Sequence, residues 1–148
     1  MFNNKYLLPI FLLFLSISIL YSCDTVQSNN SGTLQIRYTG IEESEHGSVA
    51  AFLLTNDTTE TIKFWAYEGG TPHYSAEVLT DTGWTYLMWN WCATGTSPTE
   101  LKPGSKKKFT TSLPTYDCTW RVILDISVAE SEKYYTLKSD VIEFTLQK

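Results

Sequence analysis

Two of the cysteines and both histidines are residue types that catalyse reactions or bind metals: Cys92, Cys118, His46 and His73. A nucleophilic cysteine needs a histidine beside it, and a zinc site needs three or four ligands at characteristic spacing. The sequence contains no C-x-x-C, H-x-x-x-H, G-x-S-x-G or H-E-x-x-H pattern, and both histidines lie in polar segments. We therefore predict that the protein is not an enzyme and has no catalytic residues, no metal site and no cofactor.

Aromatic side chains are the better candidates, because they make up 14 % of the chain and include five tryptophans. Within 61–67 the alternation of apolar residues predicts a strand whose outer face carries Trp65 and Tyr67. The segment 84–91 is apolar on both faces, and one of these faces consists of Leu87, Trp89 and Trp91. Such flat side chains stack on sugar rings or pack against proteins, or they fill a core. The predicted contact residues are Trp65, Tyr67, Trp89 and Trp91.

The beginning of the chain carries one basic side chain, Lys5, ahead of an apolar stretch of 15 residues from Tyr6 to Leu20. A membrane-spanning helix needs about 20 such residues, so the pattern is typical of a secretory signal. The stretch ends in Leu20-Tyr21-Ser22-Cys23, which resembles the lipobox of bacterial lipoprotein precursors. The resemblance implies cleavage after Ser22, a lipid thioether on Cys23 and usually an acyl chain such as palmitate on the new amino terminus.

This interpretation predicts an exported lipoprotein of the cell envelope that is held to a membrane by its lipid. Residues 1–22 are the expected signal peptide, 23–32 the lipid anchor and a flexible polar linker, and 33–148 the folded domain. The net charge of −5 argues against nucleic acid as a partner. Another envelope protein or a glycan is therefore expected.

If Cys23 carries lipid, Cys92 and Cys118 remain as an even pair in an oxidising compartment. A disulfide between them would stabilise the domain by about 3 kcal/mol through loop closure. Two free buried thiols are the alternative.

From Thr33 onward, short alternating or continuous apolar segments are separated by turn-forming residues, which predicts seven or eight β-strands. Residues 56–60 and 81–83 are the expected hairpin turns. The three consecutive lysines at 106–108 are typical of an edge strand that discourages pairing with another chain.

Two short patterns resemble known families. The segment 52–64 has the strand, Asn-turn, strand pattern of bacterial extracytoplasmic immunoglobulin-like modules, and Leu101-Lys102-Pro103-Gly104 followed by Phe109 is similar to a feature of those modules. The second pattern also resembles the bacterial intracellular proteinase inhibitor domain. These resemblances imply a single all-β, immunoglobulin-like antiparallel sandwich.

The function that we predict is a non-catalytic binding or structural module. A carbohydrate-binding surface lipoprotein that uses exposed aromatic side chains is one alternative. A peptidase inhibitor, by fold analogy alone, is the other.

Overall fold

The computed structural model describes residues 32–90, 94–131 and 133–146, and these residues form an all-β structure without helices. The strands are β1 (Leu34–Ser44), β2 (Gly47–Asn56), β3 (Ile62–Tyr67), β4 (Ser75–Thr80), β5 (Gly83–Trp89), β6 (Thr96–Leu101), β7 (Ser105–Ser112), β8 (Cys118–Val128), β9 (Tyr134–Lys138) and β10 (Ile142–Phe144). The predicted all-β antiparallel sandwich is confirmed, with ten described strands rather than seven or eight. The expected signal peptide, Cys23 and most of the expected linker lie outside the described residues. Within the described part of the chain, no helix exists that could cross a membrane.

Two antiparallel sheets make up the sandwich. The smaller sheet has the order β1-β2-β7, and the larger one follows the path β5-β4-β8-β3-β6, with β9 and β10 also paired to β8. Because β7 is an edge of the smaller sheet, the prediction of an edge strand for the three lysines is confirmed. Lys108 forms an ion pair with Glu42 at 2.7 Å, and Lys107 donates to the carbonyl of Gly69 at 3.3 Å.

The core lies between the sheets and is centred on four aromatic side chains. Phe52 of β2 stacks on Phe109 of β7 with ring centroids 5.5 Å apart, and it meets Trp120 of β8 edge-on at 5.9 Å. Tyr38 of β1 contacts the other side of this group. Phe52 and Trp120 have no exposed surface and are the largest fully buried side chains of the described residues, so each stabilises the contact between the two sheets by burying a large apolar area.

A buried asparagine joins the two segments that carry the resemblance to immunoglobulin-like modules. Asn56 is fully buried at the end of β2, and its amide donates to the carbonyls of Glu60 at 2.8 Å and Leu101 at 2.9 Å. Its backbone carbonyl accepts from Gly104 at 2.7 Å, where a φ of +71° favours glycine. The Asn turn and the L-x-P-G turn are therefore one hydrogen-bonded unit.

Two strands, β4 and β3, pair with the same edge of β8, each along a different part of it. β4 pairs with β8 over Trp120–Ile123, and β3 pairs with it at Ser127 and Val128. β9 pairs with Ile123 and Ser127 as well, so it occupies the opposite edge. Between these two paired regions, the segment before β4 turns away from β8 toward β3. There the backbone N–H of His73 donates to the carbonyl of Trp65 at 2.7 Å. The described strands therefore leave a gap beside residues 124–126 of β8.

The structure argues against the predicted Cys92–Cys118 disulfide. Cys118 is a half-buried free thiol, and Cys92 lies outside the described residues. The pairing of β4 with β8, continued beyond Val78 and Trp120, places Cys118 opposite Thr80. Asn90 is instead hydrogen-bonded to Tyr74, which lies just before β4 begins. The positions of Thr80 and Tyr74 are about 20 Å apart along the strand, because each residue of a strand advances about 3.3 Å. The two residues from Asn90 to Cys92 span at most about 7 Å, and a disulfide needs Cα atoms within about 7 Å.

Candidate binding groove on the outer face of the larger sheet

A β-bulge in β5 brings three aromatic side chains to one face. Tyr86 lies opposite Glu77 and Trp89 opposite Ser75, while Leu87 between them has no partner residue. Because Glu77 and Ser75 are two residues apart on β4, Tyr86 and Trp89 point to the same side. Trp84 faces this side too, since it pairs with Leu79. Strict alternation had predicted Leu87 and Trp89 on one face. Leu87 packs against the core whereas Trp89 is exposed, so this prediction was wrong.

The other predicted contact residues have different outcomes. Trp65 is 53 % exposed on β3, as the prediction of an outward side chain requires. Tyr67 is half-buried, and its hydroxyl donates to the backbone carbonyl of Asn90. That contact braces the end of β5, so Tyr67 is not freely presented to a partner. Trp91 lies outside the described residues.

The separation of β3 and β4 from β8 opens a two-lobed groove on this face. The first lobe has a volume of about 310 Å³ and the second about 380 Å³, and both are lined by His73 and Asp125. We call this site the aromatic groove and define it by Trp65, His73, Tyr86, Trp89, Asp125 and Tyr134.

Each lobe has exposed aromatic walls. Tyr86 and Trp89, which are 61 % and 50 % exposed, line the first lobe above the buried side chain of Ile123. Trp65 and Tyr134, 53 % and 81 % exposed, line the second. The groove is therefore apolar on both sides of its central His73 and Asp125.

His73 is held in the neutral form between the lobes. The Trp89 indole donates its Nε1–H to His73 Nε2 at 2.5 Å, and the two rings stack with centroids 5.8 Å apart. An accepting Nε2 requires the tautomer that carries hydrogen on Nδ1. Burial lowers the pKa of His73, and the opposing effect of the nearby Asp125 carboxylate is smaller.

The Asp125 carboxylate is exposed at the boundary of the two lobes, where its Oδ1 accepts from the Thr136 hydroxyl at 2.9 Å. Along β8, Val122 exchanges hydrogen bonds with Ser139 on the β9 and β10 edge. Alternation along an antiparallel strand therefore directs the backbone amide and carbonyl of Asp125 toward the gap. The centre of the groove thus offers hydrogen-bonding groups of both kinds.

Asn90 fixes the position of the segment that carries His73. Its Oδ1 accepts from the backbone N–H of Tyr74 at 2.8 Å, and its Nδ2 donates to the carbonyl of Pro72 at 3.0 Å. The backbone N–H of Asn90 also reaches the carbonyl of Tyr74. These bonds tie residues 72–74 to the end of β5, so Trp89 and His73 are held side by side.

A charged stack extends the same face beyond the groove. Arg121 donates to Glu77 Oε2 through Nε at 3.0 Å and Nη2 at 2.7 Å, and its guanidinium lies 3.9 Å from the ring centre of Trp84. The two hydrogen bonds to one carboxylate oxygen and the cation–π contact hold the guanidinium between Glu77 and Trp84. The opposite charges of Arg121 and Glu77 cancel, so this region is electrically neutral.

The groove contains the residue types of a hydrolytic triad without its geometry. Ser75, His73 and Asp125 all line the first lobe. A triad histidine must take the proton of the serine through a free ring nitrogen. Here the Nε2 lone pair is engaged by the Trp89 indole and Nδ1 carries hydrogen, so His73 is not placed to act as a base. The arrangement favours binding over nucleophilic catalysis.

Within the described ranges, no group of three or more metal-ligating side chains comes together.

No family model and no curated protein matches the chain. A solved X-ray structure of Northeast Structural Genomics Consortium target SoR45 is similar with a TM-score of 0.45 and 9 % sequence identity, over 76 % of this chain and 82 % of that one.

Four members of the groove were not among the sequence-predicted contacts: His73, Tyr86, Asp125 and Tyr134. The alternation at 134–138 could have revealed Tyr134, because Tyr135 and Leu137 face the core while Tyr134 and Thr136 are exposed. His73 and Asp125 come from segments about 50 residues apart in the sequence, and no local pattern connects them.

Proposed function

We propose that the protein is a lipid-anchored, non-catalytic binding module of the bacterial cell envelope, which holds its ligand in the aromatic groove. The observation that carries the binding half is the concentration of exposed aromatic walls on both sides of one groove. Tryptophan and tyrosine dominate the energetics of contact surfaces, whereas soluble proteins rarely expose large apolar patches without a use for them.

The anchoring half rests on the sequence Leu20-Tyr21-Ser22-Cys23 after an apolar segment. Mass spectrometry of the protein from the membrane fraction tests it. A mature chain that begins at lipid-modified Cys23 is expected, and Cys23→Ser should leave the signal peptide attached or release the protein from the membrane. An unmodified Cys23 peptide that retains Tyr21 and Ser22 would refute lipidation.

We also propose that the sandwich is an immunoglobulin-like module of the extracytoplasmic kind. Support comes from the hydrogen bonds between Asn56 and the turn that begins at Leu101, since these join the two segments that resemble such modules. No contact in the described residues favours the peptidase-inhibitor alternative, which stays a prediction from the sequence.

Binding is tested with the mature protein and solubilised cell-envelope material from the source bacterium. Trp65→Ala combined with Trp89→Ala should weaken binding by about tenfold or more, since each change removes an aromatic wall. Tyr116→Ala is the matched control, because Tyr116 is 47 % exposed in the loop before β8, far along that strand from Asp125. Equal binding by the double variant and the control would contradict the proposed site.

A further inference from the structure

We infer that the ligand of the aromatic groove is an uncharged oligosaccharide that lies across both lobes and is hydrogen-bonded at the centre by Asp125. This inference rests on the proposed function and adds the chemical class of the ligand. Three features of the groove carry it: the placement of its aromatic rings, the polar groups between them, and its charge.

The aromatic rings suit a ligand with flat apolar faces and polar edges. Tyr86 and Trp89 line one lobe, and Trp65 and Tyr134 line the other. A pyranose ring presents C–H groups on its faces and hydroxyls around its rim, so it can stack on an indole while its hydroxyls remain hydrogen-bonded. Walls in two adjoining lobes match successive sugar rings of one chain better than a single small ligand.

The polar groups at the centre match hydroxyls. The Asp125 carboxylate is exposed, and one of its oxygens already accepts from Thr136, which fixes its orientation. The backbone amide and carbonyl of Asp125 face the gap in the sheet, because those of Val122 are bonded to Ser139 on the opposite edge. Donors and acceptors in fixed positions are what the alternating hydroxyls of a sugar chain require.

The charge of the groove argues against anionic ligands. Lys63 in the second lobe pairs with Glu100 at 3.6 Å, and Arg121 beside the first lobe pairs with Glu77. Burial keeps His73 neutral, so Asp125 gives the groove one net negative charge among these groups. A phosphate, an acidic glycan or a nucleic acid would be repelled.

The extent of the groove argues against a small organic cation as the ligand. Aromatic walls and a carboxylate also recognise quaternary ammonium groups, and such a ligand would gain from the Asp125 charge. However, a small cation would fill only one lobe and would leave the aromatic walls of the other lobe unused. Asp125→Asn separates the two ligand classes, because an amide still bonds hydroxyls but no longer attracts a cation.

The experiment uses the mature protein on an array of uncharged and anionic oligosaccharides, followed by titration calorimetry of the best binder and of tetramethylammonium. We expect an uncharged oligosaccharide to bind, and Trp65→Ala and Trp89→Ala each to weaken that binding by about tenfold. Asp125→Asn should retain measurable binding, and Tyr116→Ala should change it by less than about twofold.

Two sets of results would overturn the inference. One is a preference for anionic oligosaccharides or tetramethylammonium, or binding that both tryptophan substitutions leave unchanged. The other is failure of every uncharged oligosaccharide to bind. If envelope material still binds through Trp65 and Trp89 in that case, the carbohydrate inference is wrong and the proposed function stands; if that binding is absent too, both are wrong.

Discussion

Among single residues, Asn56 has the clearest consequence for stability. Asn56→Ala removes the amide hydrogen bonds to the part-buried carbonyl of Glu60 and the buried carbonyl of Leu101, and the acceptor for Thr58. We expect it to lower the free energy of unfolding by about 2–4 kcal/mol. Urea unfolding measures the change. Thr59→Ala in the same turn is the control, because Thr59 is exposed and should cost less than about 0.5 kcal/mol. Equal effects of the two substitutions would show that the buried bonds are not needed.

His73 should make the stability of the domain depend on pH. Its folded-state pKa is lowered from the ordinary 6.5, chiefly by burial, so the unfolded chain takes up a proton at a higher pH than the folded one. The free energy of unfolding should therefore be fully retained above pH 6.5 and should fall as the pH drops from 6.5 toward the lowered value. Protonation also removes the Nε2 acceptor for Trp89.

The measurement is urea unfolding between about pH 5 and pH 8, where an unperturbed histidine titrates. In His73→Gln the side-chain amide can still accept from the Trp89 indole but does not titrate, so that variant should lose this part of the pH dependence. A variant with the same pH profile as the natural protein would exclude His73 as the cause.

The sequence predicted Trp65 and Trp89 as contact residues, and the structure exposes both. It did not predict the bracing role of Tyr67, because that role depends on a hydrogen bond to Asn90, 23 residues away. His73 and Asp125 were also missed, since they become neighbours only when the segment before β4 turns from β8 to β3.

Among the elements, β5 shows how one extra residue changes which side chains share a face. Deletion of Leu87 would remove the residue that has no partner and leave Tyr86 opposite Glu77 and Trp89 opposite Ser75. We therefore expect Trp89 to stay on the outer face. Residue-resolved hydroxyl-radical footprinting measures the exposure of Trp89, and the expected oxidation matches that of the natural protein.

A regular strand would respond in the opposite way, because a one-residue deletion turns every later side chain to the other face. Deletion of Thr85, outside the bulge, is the matched comparison. Protection of Trp89 after loss of Leu87 would show that the bulge does not exist.

The individual strands were predictable where apolar residues alternate without interruption, as in β1 and β3. The bulge in β5 was not predictable, because a segment that is apolar on both faces gives no sign of which residue is extra. β9 was missed as well: the turn that precedes it and its short length made it resemble a loop.

For the whole molecule, the sheet register bears on the state of Cys118. Asn90 and Cys118 are so far apart along the sheet that Cys92 cannot reach Cys118, so we predict that Cys118 remains a thiol. Under denaturing conditions without reductant, iodoacetamide should therefore alkylate Cys118 completely. In the folded protein the reaction should be slow, since burial and, to a smaller extent, Asp117 raise the pKa of this thiol. Alkylation only after reduction would demonstrate a disulfide at Cys118 and contradict this prediction.

An antiparallel sandwich was predictable from strand spacing and turn residues, because those features are local. The partition of the edge of β8 between β3 and β4 was not, since it depends on pairing between distant segments. That partition creates the gap beside Asp125, and with it the aromatic groove.

The most direct test of the groove follows the five tryptophan indole N–H groups of the mature protein by two-dimensional NMR during titration with solubilised envelope material. The resonances of Trp65 and Trp89 should shift or broaden as the ligand binds, while that of Trp120, buried in the core, should stay in place. Binding that leaves the Trp65 and Trp89 resonances unchanged would contradict the assignment of the groove as the binding site.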